Sequence, residues 1–219
     1  ITSFGYQAMN SGVGLQNTAV GYQALNAPEQ AGNTAVGYMA GYRLAQGASN
    51  GTYNVAVGYQ TLYSSATAAS NTGRGNIGLG YQAGYNLTSG YRNVIIGYEA
   101  AKNLTTGYYN VAIGDQSFGT ATTTGSQNIG IGRGTLFALT SGTNNIAMGY
   151  VAFADLKTTK HNIAIGQYAM YSQEPGDGNV AVGYSALQSC AGGERNVGIG
   201  QQAGGSGSYW GDDNVSIGY

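Results

Sequence analysis

Apolar and polar positions alternate with period two in one short phrase that recurs along the whole chain. In Asn54-Val55-Ala56-Val57-Gly58, Val55 and Val57 fall on one face while Asn54, Ala56 and Gly58 fall on the other. That period belongs to a β-strand, not a helix. Val and Ile at the alternate positions suit a pleated surface. Related phrases close at Gly5, Gly21, Gly37, Gly58, Gly80, Gly97, Gly114, Gly132, Gly149, Gly166, Gly183, Gly200 and Gly218. Their spacing is 16 residues at first, then 21 and 22, and 17 or 18 from Gly80 onward. A repeat of this length sets the architecture before any local signal does.

Other columns accompany the strand. Asn stands four residues before the closing Gly in twelve of the thirteen copies: Asn17, Asn33, Asn54, Asn76, Asn93, Asn110, Asn128, Asn145, Asn162, Asn179, Asn196 and Asn214. Tyr follows the closing Gly in nine copies. The stretch Tyr59-Gln60-Thr61-Leu62 keeps an alternating character and predicts a second short strand after a bend at Gly58. Thr/Ser/Gly-rich stretches such as Thr105-Thr106-Gly107 supply the turn back. The run from Ser64 to Ser70 reads as a protruding loop. Each unit thus reads as strand, bend, strand, turn.

One such unit cannot stand alone. Two or three buried Val or Ile side chains contribute about 1.5–3 kcal/mol each, whereas ordering each residue's backbone costs roughly 1–2 kcal/mol. Stacking of like on like is therefore expected, with Asn amides bonded along their column and Gly allowing close backbone approach. The expected fold is all-β: a parallel β-roll or β-solenoid of about 17-residue coils, one array of about thirteen over residues 1–219. The Val/Ile face is expected to form the core. The small-residue face then calls for another backbone against it, most simply in a homotrimer.

Composition narrows the function. Gly numbers 39 and Pro only 2, without the every-third-residue Gly of collagen. A net charge of -1 gives no basic stripe, so nucleic acid is not an expected partner. No apolar run reaches the ~20 residues of a membrane span, and no membrane contact is expected of this segment. Both ends fall inside repeats, which points to a portion of a longer fibrous protein. Cys190 is the only Cys, so it has no disulfide partner within the chain.

Phrases such as Asn162-Ile163-Ala164-Ile165-Gly166 and Asn110-Val111-Ala112-Ile113-Gly114 resemble the head repeats of trimeric autotransporter adhesins, the Yersinia-adhesin-like head or haemagglutinin repeat. The variant Gly21-Tyr22-Gln23-Ala24-Leu25 also resembles repeat arrays of bacteriophage tail fibres. The resemblance covers essentially the whole chain and implies a left-handed, trimeric β-roll. The unit is longer here, and Tyr replaces a small or polar residue. The function implied is a non-enzymatic structural and adhesive fibre segment, extracellular on a cell surface or virion. It would project a tip and bind surface glycans or receptors. The alternative is a polysaccharide-cleaving, tailspike-like β-helix enzyme.

Candidate chemistry is sparse. His161, the only His, lies in the turn from Lys157 and reads as solvated. Cys190 reads as a small turn or loop residue. Glu99 and Asp115 sit on successive coils and are the carboxylates a glycan-cleaving reading would use. Asp212-Asp213 offers oxygens of the kind Ca²⁺ takes, but one pair reads better as a solvated turn. Asn86-Leu87-Thr88 and Asn103-Leu104-Thr105 match the N-glycosylation pattern and read as turns. No catalytic residue, metal or cofactor is expected. The Tyr column reads either as packed rings or as a ring-lined surface for sugars, and Tyr209-Trp210 is the expected place for ligand contact.

Overall fold

Period-two alternation over three residues gives thirteen short strands, each ending at a glycine. In the computed structural model residues 1–10, 14–26, 31–44, 52–64, 71–119, 123–155, 157–171, 176–205 and 211–219 are described. The chain divides into two compact units, Ile1–Asn110 and Val111–Tyr219. The first contains β1 (Thr2–Phe4), β2 (Thr18–Val20), β3 (Thr34–Val36), β4 (Val55–Val57), β5 (Ile77–Leu79) and β6 (Val94–Ile96). The second contains β7 (Val111–Ile113), β8 (Ile129–Ile131), β9 (Ile146–Met148), β10 (Ile163–Ile165), β11 (Val180–Val182), β12 (Val197–Ile199) and β13 (Val215–Ile217).

Within each unit every strand pairs in parallel with the next, in chain order and in register. Like meets like: Ala35 lies beside Ala56, and Ile163 beside Val180. The register also holds across the longer coils, where Thr34 lies beside Val55 and Val55 beside Ile77. Both units are therefore β-solenoid stacks. No helix among the described residues is long and apolar enough to cross a membrane.

The orientation of the strand reverses the expected one. Asn54 and Ala56 are buried, while Val55 is exposed and Val57 half-exposed. Across both units the Val/Ile face looks outward, with Val36, Val55, Ile77, Leu79, Met148, Ile165 and Ile199 each 37–46% exposed. The small face needs no second chain, because it packs on the turn of its own coil stack. Leu25, Leu62, Phe118, Leu136, Phe153, Met170 and Leu187, four residues after the closing Gly, fill the interior.

Big and small side chains interlock there. A Cβ on Gly78 would lie 2.8 Å from Leu62 Cγ, one on Gly130 would lie 2.9 Å from Phe118 Cε2, and one on Gly198 would lie 2.7 Å from Leu187 Cγ. The complement holds at Ile95, whose Cδ1 would meet a Cβ on Gly84 at 2.9 Å. A large residue on the turn thus goes with Gly or Ala in the facing strand, and the reverse. This is close packing at the scale of one side chain.

The second strand does not form. Gln60, Leu62 and Ser64 have φ of 49°, 47° and 52°, in the left-handed region, and the segment is a turn. Its backbone still bonds between coils: the Gln60 N–H donates to Tyr38 O at 2.8 Å, and the Leu62 N–H donates to Ala83 O at 2.9 Å. Alternating right- and left-handed residues aim successive amides at the coils on either side, so the groups are satisfied without a strand. Ser64 is buried, and its Oγ donates to Asn71 Oδ1 at 2.5 Å. The rest of the loop expected at Ser64 to Ser70 lies outside the described residues.

The closing glycines have φ between 122° and 137°. At Gly58 a Cβ would land on the carbonyl oxygen of Gly80. Close stacking of one bend on another therefore excludes any side chain there.

Candidate binding surface

The Asn column is interior scaffolding. Asn93 Oδ1 accepts from Asn110 N–H at 2.9 Å and from Asn110 Nδ2 at 3.1 Å. Asn93 Nδ2 in turn donates to Asn76 Oδ1 at 3.0 Å and to Gly107 O at 2.9 Å. The pattern repeats from Asn162 to Asn179 and from Asn179 to Asn196. Asn17, Asn33, Asn54, Asn76, Asn128 and Asn145 are buried in the same way, whereas Asn214 is exposed. A chain of amides polarised in one direction suits an interior of small side chains.

Three kinds of surface lie outside this scaffold. The first is the sheet face. Its two columns are Val, Ile, Leu or Met in both units apart from Thr2, Phe4, Thr18 and Thr34, and they include no charged residue.

The second is the tyrosine column of the first unit. Tyr6, Tyr22, Tyr38, Tyr59, Tyr81 and Tyr98 stack ring on ring, with centroids 5.0–5.5 Å apart and planes within 6–14°. A shorter stack of Tyr42, Tyr63 and Tyr85 runs beside it at 5.1 and 4.8 Å. Burial, then the neighbouring Tyr85 and Tyr42, pushes the Tyr63 phenol above its ordinary value. The glutamines that follow the column in sequence bond to one another: Gln82 Nε2 donates to Gln60 Oε1 at 2.8 Å and Gln23 Nε2 to Gln7 Oε1 at 2.6 Å. At this spacing interior ring faces cover one another, so the column presents ring edges and hydroxyls. It is not a platform on which a sugar ring can lie.

The third surface is where the same column changes in the second unit, to Asp115, Arg133, Tyr150, Gln167, Tyr184, Gln201 and Tyr219. Arg133 pairs with Asp115 at 3.4 Å and lies 5.8 Å from the Tyr150 ring centroid. Tyr168, one residue past the column, meets Tyr150, Tyr171 and Tyr184 edge-on at 74–78°. Beside these rings opens a cleft of about 350 Å³, lined by Gln116, Arg133, Phe137, Tyr150, Asp155 and Tyr171. Rings and hydrogen-bonding groups converge there within the size range of ligand pockets. Sequence reasoning missed it, although the interruption of the Tyr column was its visible signal.

The other candidates are separate. Tyr209 and Trp210 lie outside the described residues. Glu99 pairs with Lys102 at 2.6 Å, so it and Asp115 each face a cation of their own. His161 is exposed, with φ 59°, and its N–H donates to Thr143 O at 3.2 Å. Cys190 lies in the loop after a turn and is buried: Asn196 Nδ2 donates to its Sγ at 3.8 Å, and burial pushes the thiol up. Leu87 and Leu104, the middle residues of the two glycosylation patterns, are core, and Asn86 Nδ2 donates to Asn103 Oδ1 at 2.8 Å.

Asp212 and Asp213 face Arg195, whose Nε donates to Asp213 Oδ1 at 2.7 Å. That hydrogen bond holds the Asp213 carboxyl below the usual carboxylate range. No group of three or more His, Cys, Asp or Glu able to hold a metal occurs among the described residues. No protein-family model, curated protein or solved structure matches the chain.

Proposed function

We propose that this chain is a structural segment of an extracellular fibre, three copies of which associate through the outward Val/Ile faces of their sheets. The observation carrying this reading is the sheet face itself: apolar on almost every rung, free of charge, and about 40% exposed at Val55, Ile77, Ile165 and Ile199. An apolar, uncharged sheet face of this kind, on either unit, is an interaction surface or an aggregation hazard. Closure of copies around an axis parallel to the stack covers the strip on every chain at once. The resemblance to trimeric adhesin heads supports three as the number.

The adhesive part of the role falls on the cleft beside Tyr150 and Tyr171, which suits a glycan of a host or neighbouring surface. The polysaccharide-cleaving reading has no comparable support, since Glu99 and Asp115 are each paired with a cation.

Sedimentation and native mass of the purified chain test the assembly. The expected species has three times the chain mass. Ile165→Lys combined with Val57→Lys is expected to give a folded monomer with unchanged β-sheet circular dichroism. A wild-type chain that stays monomeric and monodisperse overturns the reading.

A further inference from the structure

The tyrosines of the first unit are arranged for a covalent modification. Six phenols stand in one line at 5.0–5.5 Å between centroids, held there by the in-register pairing of β1 to β6. All six are exposed. Every interior member has a phenol on each side. No comparable run exists among the described residues of the second unit, where Tyr150, Tyr168 and Tyr184 meet edge-on.

We infer that the Tyr6–Tyr98 column is an oxidative cross-linking site, at which consecutive tyrosines of one chain couple to dityrosine under a one-electron oxidant such as a haem peroxidase with hydrogen peroxide. Each of two neighbouring phenols gives up one electron and one proton. The two ring radicals join at carbons ortho to their oxygens, forming one C–C bond. The displaced ring hydrogens pass to the phenolic oxygens as both rings regain aromaticity. The two electrons and two protons reduce one hydrogen peroxide to two waters.

The stack favours this outcome in two ways. A radical on any ring exchanges an electron with its neighbour across the stacked faces, so two radicals on one column meet without diffusing through solvent. The backbone holds the partners close, which converts a bimolecular coupling into an intramolecular one. Rotation of the half-exposed side chains brings the ortho carbons together. The product ties coil to coil along the column and closes loops of 16 to 22 residues, the kind of constraint that disfavours an unfolded chain.

The full chain, in whatever assembly it forms, is mixed from isotopically heavy and light copies. It is oxidised at low concentration with a haem peroxidase and hydrogen peroxide, then digested and mapped by mass spectrometry. Links Tyr22–Tyr38, Tyr38–Tyr59, Tyr59–Tyr81 and Tyr81–Tyr98 within one chain are expected. Their yield should exceed that of links at Tyr53, Tyr219, Tyr150 or Tyr184 by on the order of tenfold. Tyr59→Phe keeps a ring in the stack and should remove the two links through position 59 while leaving Tyr81–Tyr98. Heavy-to-light links as the main product, or equal yields at Tyr53 and Tyr219, overturn the inference. So does loss of every link in a Tyr59→Phe chain whose circular dichroism is unchanged.

Discussion

The two compact units have interiors of the same construction and differ in what they carry outside them. Both stack Asn on Asn and small strand residues on large turn residues, in the same parallel register. The first unit absorbs coil spacings from 16 to 22 residues and adds an unbroken tyrosine column; the second keeps to 17 or 18 and breaks that column with Asp115, Arg133, Gln167 and Gln201. The interior is therefore the invariant part of the design. A residue in the Asn column answers to the coils on either side, whereas a residue in the Tyr column points to solvent and can be exchanged for charge. The break is also where the cleft opens, so regularity supports one kind of chemistry and its interruption another.

The sharpest way to break this comparison is to damage the shared interior in each unit. Asn93→Ala leaves Asn110 N–H and Gly107 O without their side-chain partner in a buried setting, and Asn162→Ala does the same to Asn179 N–H. Each unmade buried bond costs about 1–3 kcal/mol, so Asn93→Ala is expected to lose roughly 4 kcal/mol and Asn162→Ala roughly 2 kcal/mol in denaturant titrations. A loss in one unit alone would mean that the interiors are not equivalent.

Ile95→Ala comes next. Ile95 is fully buried against Gly84, and truncation leaves a cavity worth about 3 kcal/mol. Gly84→Ala alone is expected to destabilise as well, its Cβ lying 2.7 Å from Leu62 Cδ2 and 2.9 Å from Ile95 Cδ1. In the double variant the second of these clashes is relieved, so the combined loss should be less than the sum of the two. Additive losses in the double variant would argue against the interlocking of large and small residues.

Smaller effects separate the exteriors. Tyr59→Ala removes ring contacts with Tyr38 and Tyr81 and is expected to cost about 1 kcal/mol. Tyr184→Ala, which loses one edge-on contact with Tyr168, should cost less than half of that. Equal losses in thermal melts would remove the distinction between stacked and broken columns.

The smallest effect is electrostatic and confined to the second unit. Asp213 is held below its ordinary range by Arg195, so the folded state binds its proton less readily than the unfolded chain. Its stabilisation is fully present above the unfolded value of about 4 and is lost as pH falls through the lower folded value. Denaturation midpoints measured from pH 5 downward should fall less steeply in Asp213→Asn than in the parent.

Much of this was legible in the residues. The repeat gave the coil, the alternation gave the strand, and a direct repeat with no reversal signal gave parallel, in-register pairing. The column at Asn54 and Asn76 announced its amide bonds because only a stack brings those side chains together. Tyr59 to Leu62 misled, since alternation also describes a turn whose residues switch between right- and left-handed conformations. Cys190 and Leu87 looked like turn residues because the core of a narrow coil is built partly from its turns.

By itself the amino-acid sequence determined the thirteen-fold phrase, the columns and their parallel stacking, because identical phrases repeated in one direction have one natural pairing. It did not determine which side of the strand is inside. Hydrophobicity favours burying Val55 and Val57, but the lumen of so small a coil, already filled by Leu62 and its counterparts, has room opposite for Asn, Ala and Gly, and for a larger residue only at Ile95, where the turn carries Gly84. Volume decided against hydrophobicity, and that choice exists only once the turn has folded back over the strand. The same closure set the rings of Tyr38, Tyr59 and Tyr81 face to face and left the Val/Ile face of the sheet pointing outward.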